Sequence, residues 1–244
     1  MKKLSICFLI LVSGLWSQHY QVDFPSEEFK ARWKGVFEQI GDEAVAVVQG
    51  FPLSNGFIIP RQTNAFYYLS GIETPHAYIL LDGRDKKVTL YMPPRNERLE
   101  RSEGRILNAG DEKLIKKLVG VDAVYSTDVM RENFPPDLDR GTVIYTMFTP
   151  AEGQGQSRYE LEVANASIAA DPWDGRISRE SRLVQLLRTR NRRNEVKDLT
   201  PIIDRLRSIK SPNEIALIRR ASQLAGLGMM EAIKSTEPGA WEYQ

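Results

Sequence analysis

"PRQTNAFYYLSGIETPHAYILLDG", residues 60–83, joins an aromatic run, a turn built on Gly71, Glu73 and Pro75, and a second apolar run. β-Branched and aromatic residues broken by Gly and Pro predict strand, turn and strand, with "NAFYYLSG" (64–71) and "AYILLDG" (77–83) as the strands. Along such a strand Phe66 and Tyr68 face one side of a sheet, and Tyr67 and Leu69 the other. Arg61, Tyr67, Tyr68, Glu73 and His76 are the groups here that could do chemistry. Whether they form a site or a scaffold depends on what surrounds them.

Two more strands flank the segment, "EAVAVVQG" (43–50) and "KVTLYMPP" (87–94), and Asp82-Gly83 heads a hairpin turn at "DGRDKK". Upstream, Phe29, Trp33, Val36, Phe37 and Ile40 recur at helical spacing in 25–42. Ser26 is expected to cap that helix, Glu27 and Glu28 suit its positive end, and Gly41 terminates it. Downstream, helix and strand alternate through 111–120, 121–126, 127–134 and 142–148. The fold class that follows is α/β, a mixed sheet flanked by helices.

Residues 150–178 are loop-rich with one helix between, and three helical patterns then follow in a row. The expected division is a leader at 1–18, an α/β domain at 19–197, and a linker with the first helix of a further domain at 198–244. That last helix opens on a capping box, with Ser211 as cap, Pro212 at the first position and Glu214 three residues on. Pro238-Gly239 ends it and a new element begins at "AWEYQ", so the chain is expected to continue past Gln244.

Composition narrows function by exclusion. The chain has 244 residues, 42% hydrophobic and 27% charged, with a formal net charge of +1. Near-neutrality supplies no electrostatic reason for nucleic acid or an anionic membrane as partner. Lys2 and Lys3 precede a short apolar run, Leu4 to Val12, and small residues follow it, which is the layout of a secretory signal peptide. Export to the periplasm or the exterior is the expectation. The single cysteine, Cys7, lies inside the leader, so the mature chain would have neither disulfides nor cysteine-ligated zinc.

A catalytic constellation does not emerge. The histidines are His19, beside the leader, and His76, in a turn, so no H-x-x-x-H spacing exists. There is no G-x-S-x-G elbow and no Gly-rich phosphate cradle; "EGQGQ" (152–156) reads as a loop. The cluster "RTRNRR" (188–193) has acidic neighbours and no interleaved aromatics, so it reads as a solvated helix face or a domain-contact surface. Arg61 and Arg95 are suited to local salt bridges, or to an anionic partner or a neighbouring subunit.

Three stretches in order carry a resemblance. "RQTNAFYYLSGIETPHAYILL" resembles a signature of the N-terminal domain of aminopeptidase P, in the family shared with prolidase and creatinase, and "LYMPPRNERLERSEGR" resembles the segment that follows it. "LRSIKSPNEIALIRRASQLAGLGMMEAIKSTEPGAWEYQ" resembles the linker and first helix of that family's "pita-bread" catalytic domain. The resemblance implies metal-dependent removal of an N-terminal residue that precedes proline. It implies two divalent ions, typically manganese, held by two Asp, one His and two Glu beyond the end of this chain. The chain itself would then bind no metal, contribute no catalytic residue and be inactive alone. Its implied role is oligomerisation and bordering a neighbouring subunit's substrate cleft, with Arg61, Tyr68, Glu73, His76 and Arg95 as rim or interface residues. The segment 98–103 lacks the tryptophan expected of such a rim. A prolidase- or creatinase-type hydrolase and a stand-alone module binding a peptide or partner are the other readings.

Overall fold

The computed structural model describes residues 21–52, 62–133, 138–151, 157–239 and 241. The leader read at 1–18, Arg61 and the loop at 152–156 lie outside them.

Six strands form one sheet: β1 (Ala44–Gln49), β2 (Tyr78–Asp82), β3 (Lys87–Met92), β4 (Ala123–Ser126), β5 (Val143–Thr146) and β6 (Val196–Asp198). Their order is β4-β3-β2-β1-β5-β6. β2 runs antiparallel to both its neighbours, and the remaining pairs are parallel. The cause is local: a short turn joins β2 to β3, so they must be antiparallel, whereas α-helical crossovers return the chain parallel. This is the mixed α/β sheet expected from the alternation of patterns.

The helices are α1 (Ser26–Ile40), α2 (Asn64–Ser70), α3 (Glu97–Glu103), α4 (Glu112–Val119), α5 (Thr127–Asn133), α6 (Arg158–Ala170), α7 (Arg179–Arg190), α8 (Thr200–Ser208) and α9 (Pro212–Ser235). The strand expected at 64–71 is therefore a helix, α2. Thr63 caps it, its hydroxyl accepting from the Phe66 N–H at 3.2 Å. Gly71 ends it in the left-handed conformation, with φ 61° and its N–H on the Tyr67 carbonyl. Between these stops Ala65, Phe66, Leu69 and Ser70 are buried, a helical spacing that strand alternation cannot satisfy. Capping and burial override the β-propensity of "FYY". The pairing of Phe66 with Tyr68 on one side, against Tyr67 and Leu69, falls with it. A second correction concerns α1, which begins at Ser26 itself; its cap position is Pro25, with no side-chain cap bond.

Two cores flank the sheet. The larger takes Phe29, Trp33 and Val36 of α1, Phe66 and Leu69 of α2, Ile115 of α4, and Ile79, Leu81, Leu90 and Met92 of β2 and β3. The smaller, on the other face, takes Val45, Ile144 and Val196 with Val184 and Leu187 of α7. The larger core continues past residue 197, because Leu199 and Ile203 are wholly buried in it. Gly35 lets α8 approach α1, since a Cβ there would stand 2.8 Å from Leu206 Cδ2. None of the residues of α9 is buried, although it is the longest helix of the described residues. Among the described residues no helix is long and apolar enough to cross a membrane.

The β2–β3 turn is locked against β1. Gly83 donates its N–H to the Ala44 carbonyl at 2.9 Å, and a Cβ at this position would lie 2.3 Å from the Gly41 carbonyl oxygen. Neither contact can yield without moving backbone. Gly83→Ala is accordingly expected to destabilise the domain by about 2 kcal/mol, the usual scale of overpacking; chemical denaturation with an unchanged midpoint would contradict this account of the turn.

Candidate functional site

The turn after α2 and the segment after β3 together enclose a cleft of about 530 Å³, lined by Thr74, Pro75, His76, Pro93, Pro94, Arg95, Leu99 and Ile106 among others. Hydrogen bonds hold both walls. Gln62 donates from Nε2 to the Thr74 carbonyl at 2.8 Å, and the Thr74 hydroxyl donates to the Leu107 carbonyl at 2.9 Å. The Ala109 N–H closes the second wall on the Pro93 carbonyl at 3.1 Å. Asn96 caps α3 by accepting from the Leu99 N–H, and Asn108 and Asp111 form a reciprocal capping box one turn further on.

His76 stands exposed on one wall with φ 58°, a left-handed backbone that few non-glycine residues adopt. The His76 N–H, bonded to the Phe51 carbonyl at 2.9 Å, helps to hold it there. Partial desolvation against the cleft wall, and then the Arg179 guanidinium, depress its imidazole pKa below the ordinary value, so the ring is neutral at pH 7. Arg95 stands on the opposite wall, its Nε donating to Glu100 at 2.9 Å, with Glu97 at 3.7 Å from Nη1. Beyond Arg95 the cleft widens into a second hollow of about 930 Å³, where Arg101 and Arg105 face Glu100 and Asp111. The Arg105–Asp111 pair closes to 2.6 Å.

His76 and Arg95 are thus brought together, and Glu73 is half-buried at the start of the same turn. Tyr68 belongs to a different place. It joins Phe24 and Phe29 around the buried Arg32 guanidinium, at 4.4 Å, 4.8 Å and 5.3 Å from their ring centres. Arg32 donates to the Tyr68 carbonyl at 2.7 Å, to Glu28 at 3.2 Å and to Glu214 of α9 at 3.1 Å. Asn213 adds a bond to Glu28 at 3.0 Å. Burial raises the Tyr68 phenol pKa, so it is a neutral packing group.

The sequence reading overlooked Arg32, Asn96 and the Asn108–Asp111 box. Each carried a signal: Glu28 and Arg32 stand at helical pair spacing, and "NERL" and "NAGD" are cap patterns.

Chemically the cleft can recognise but has little with which to react. It offers alternating charges, a proline-rich wall and a neutral imidazole, without a nucleophile beside a base. The crevice between the carboxyl ends of β1 and β5 has a volume of about 30 Å³, room for a water or two. Among the described residues no three His, Cys, Asp or Glu side chains gather as a metal site, so the residues present do not fit a dinuclear centre.

Comparison with known proteins places this geometry. Residues 29–145 match the model of the aminopeptidase P N-terminal domain. The chain is 28% identical over 231 residues to a Xaa-Pro aminopeptidase of Haemophilus influenzae, covering 92% of this chain and 46% of that protein. It is 25% identical over 231 residues to the Escherichia coli Xaa-Pro aminopeptidase, covering 89% and 46%. The fold is shared with proline aminopeptidase P II from Yersinia pestis, at a TM-score of 0.63 and 23% identity over 91% of this chain and 48% of that one. E. coli aminopeptidase P with the inhibitor Pro-Leu gives 0.64 and 22%, over 91% and 47%. The mixed sheet and its helices are those of an aminopeptidase N-terminal region. Residues 29–145 are thus similar to the aminopeptidase P N-terminal domain, and the chain spans less than half the length of the curated relatives it matches.

Two outcomes test the site. Arg32→Met leaves Glu28 and Glu214 as uncompensated, largely buried charges and is expected to cost about 3 kcal/mol. Hydrogen exchange at 211–217 should rise with it; unchanged protection there would show that α9 is held by something else. For His76, the folded pKa lies below the unfolded one. Its contribution therefore disfavours folding as pH falls through the unfolded histidine value, and is absent above it. The assigned His76 resonance should titrate below the free-histidine midpoint.

Proposed function

We propose that this chain is the N-terminal portion of an exported Xaa-Pro aminopeptidase, a dinuclear-metal peptidase that releases the residue preceding proline. One observation carries the reading: an aminopeptidase P N-terminal domain at residues 29–145, in a chain that aligns over 231 residues with Xaa-Pro aminopeptidases about twice as long. The exposed apolar residues of α9 support it, because Leu224, Leu227 and Met230 recur at three-residue spacing on one side of the helix, a surface that a following domain would cover. Two divalent ions, manganese in this reading, would supply the hydrolytic chemistry from that following domain; no step of it is assigned to residues here. The leader at 1–18 would direct export and be removed.

Within the whole protein, the cleft holding His76 and Arg95 is the rim that a neighbouring subunit's peptide substrate passes, and Glu73 extends it. Tyr68 serves the interface with the following domain through Arg32. Oligomerisation brings the rim to its neighbour.

Reading the source DNA past the Gln244 codon tests the first part. About 200 further codons, a plausible second domain, are expected, with Asp, Asp, His, Glu and Glu in ligand order. A stop codon there would leave the stand-alone binding module as the better reading. In the full-length enzyme, Arg95→Ala with His76→Ala should raise KM for an Xaa-Pro peptide severalfold and leave kcat nearly unchanged, the mark of lost uniform binding. The 244-residue chain should show no manganese-dependent cleavage.

A further inference from the structure

The net charge of +1 is an average over the whole chain, and it conceals one strongly basic corner. At physiological salt a charge is felt over only about 8 Å, so the local cluster decides what binds there. α7 ends in Arg188 and Arg190, Arg192 and Arg193 follow in the next turn, and Arg140 stands in the loop before β5. All five are exposed.

Hydrogen bonds hold these three segments together. The Asn191 N–H closes on the Leu187 carbonyl at 2.9 Å, and the Asn194 N–H on the Asn191 carbonyl at 3.0 Å, which makes a tight turn after the helix. The Asn194 side chain then donates to the carbonyls of Asp139 and Thr142, at 3.0 and 2.9 Å, and so brings Arg140 beside that turn. The Arg188 guanidinium carbon lies 5.5 Å from the Phe148 ring centre.

The corner carries more charge than the fold needs. Arg188 and Arg190 suit the negative end of the α7 dipole, but Arg192, Arg193 and Arg140 lie beyond the helix. Acids close by in the chain are already engaged. Glu195 pairs with Lys197 at 3.1 Å, and Asp198 accepts from the N–H groups of Phe148 and Thr200 at 3.1 and 2.9 Å. Asp139 remains, one carboxylate against five guanidinium groups. Among the described residues none of the five arginines is ion-paired.

We propose that this corner docks on the anionic phospholipid headgroups of a membrane surface. A planar guanidinium meets phosphate oxygens two at a time, so a cluster built of arginine rather than lysine suits that partner. Each basic side chain close to an anionic bilayer is worth about fivefold in affinity, and five of them give reversible attachment to the surface rather than insertion. Single-stranded nucleic acid is the other common partner of such a run, but no aromatic residue interleaves 188–193 as a platform for bases. A lipid surface asks only for charge density on one side of the protein, which the three segments supply together. The contact depends on the arginines alone, so its failure and the failure of the peptidase reading are separate results.

Co-sedimentation of the full chain with vesicles of phosphatidylglycerol and phosphatidylcholine in equal parts tests it. Arg192→Glu/Arg193→Glu should weaken binding by about tenfold or more, and Arg192→Gln/Arg193→Gln by less. The variants share one leader with wild type, so its own affinity for lipid cancels from these ratios. On vesicles of phosphatidylcholine alone, or at about 1 M salt, wild type and variants should bind alike. The same charge reversal placed on α9, Arg219→Glu/Arg220→Glu, should leave binding near the wild-type value. All these arginines are exposed, so the variants should fold. Equal binding of wild type and Arg192→Glu/Arg193→Glu to the mixed vesicles would overturn the proposal. An equal loss from the α9 variant would do so too, because net charge rather than this corner would then decide. A random 20-base-pair DNA duplex that displaces the vesicles at equal phosphate concentration, with the same dependence on Arg192 and Arg193, would assign the corner to a soluble polyanion instead.

Discussion

One buried cation joins the parts of this molecule. Arg32 leaves water to sit among Phe24, Phe29 and Tyr68, and such a transfer is tolerated only when charge and hydrogen bonds are matched. The match comes from three elements: Glu28 on its own helix, the Tyr68 carbonyl at the end of α2, and Glu214 at the start of α9. The capping box of α9 presents that same Glu214, whose other carboxylate oxygen accepts from the Ser211 N–H at 2.8 Å. A residue that starts a helix also neutralises the core's buried charge. Sheet domain and following helix are therefore coupled by electrostatics that neither could satisfy alone.

The rest of the fold turns the sheet into a frame for the cleft. β2 is the reversed strand, and its entry turn carries Thr74, Pro75 and His76, while the exit of β3 beside it carries Pro93, Pro94 and Arg95. Neighbouring antiparallel strands place the start of one against the end of the other, so the two walls meet at one edge of the sheet. The unusual backbone at His76 follows from this crowding, because the turn must give its N–H to Phe51 while keeping Ala77 buried against the sheet. What results is a cleft with hydrogen-bonded walls on a rigid frame.

Most of the frame was legible in the sequence, because strands such as "AVAVVQ" and helices such as "FKARWKGVFEQI" carry strong periodic signals. α2 was not, since seven residues hold too few turns for periodicity to outweigh the aromatic β-propensity of "FYY". Its capping threonine was the better guide. β6 was hidden for a related reason: three residues, "VKD", become a strand only because β5 offers an open edge. The cleft was legible in part. His76 and Arg95 are far apart in sequence and meet through the pairing of β2 with β3, which no local pattern encodes. Tyr68 stands apart from His76 and Arg95 because it packs on Arg32, a contact made across the packing of α1 on α2.

α9 has a mechanical consequence. Among the described residues its attachment to the domain runs through the first two turns, by Asn213, Glu214 and the partly buried Leu217. The helix runs for 24 residues, about 36 Å. It is a pointer pivoted at one end, so a tilt of about 10° at Arg32 would carry its far tip roughly 6 Å. Angular accuracy at a few atoms near the pivot thus fixes where anything mounted further along the helix is aimed.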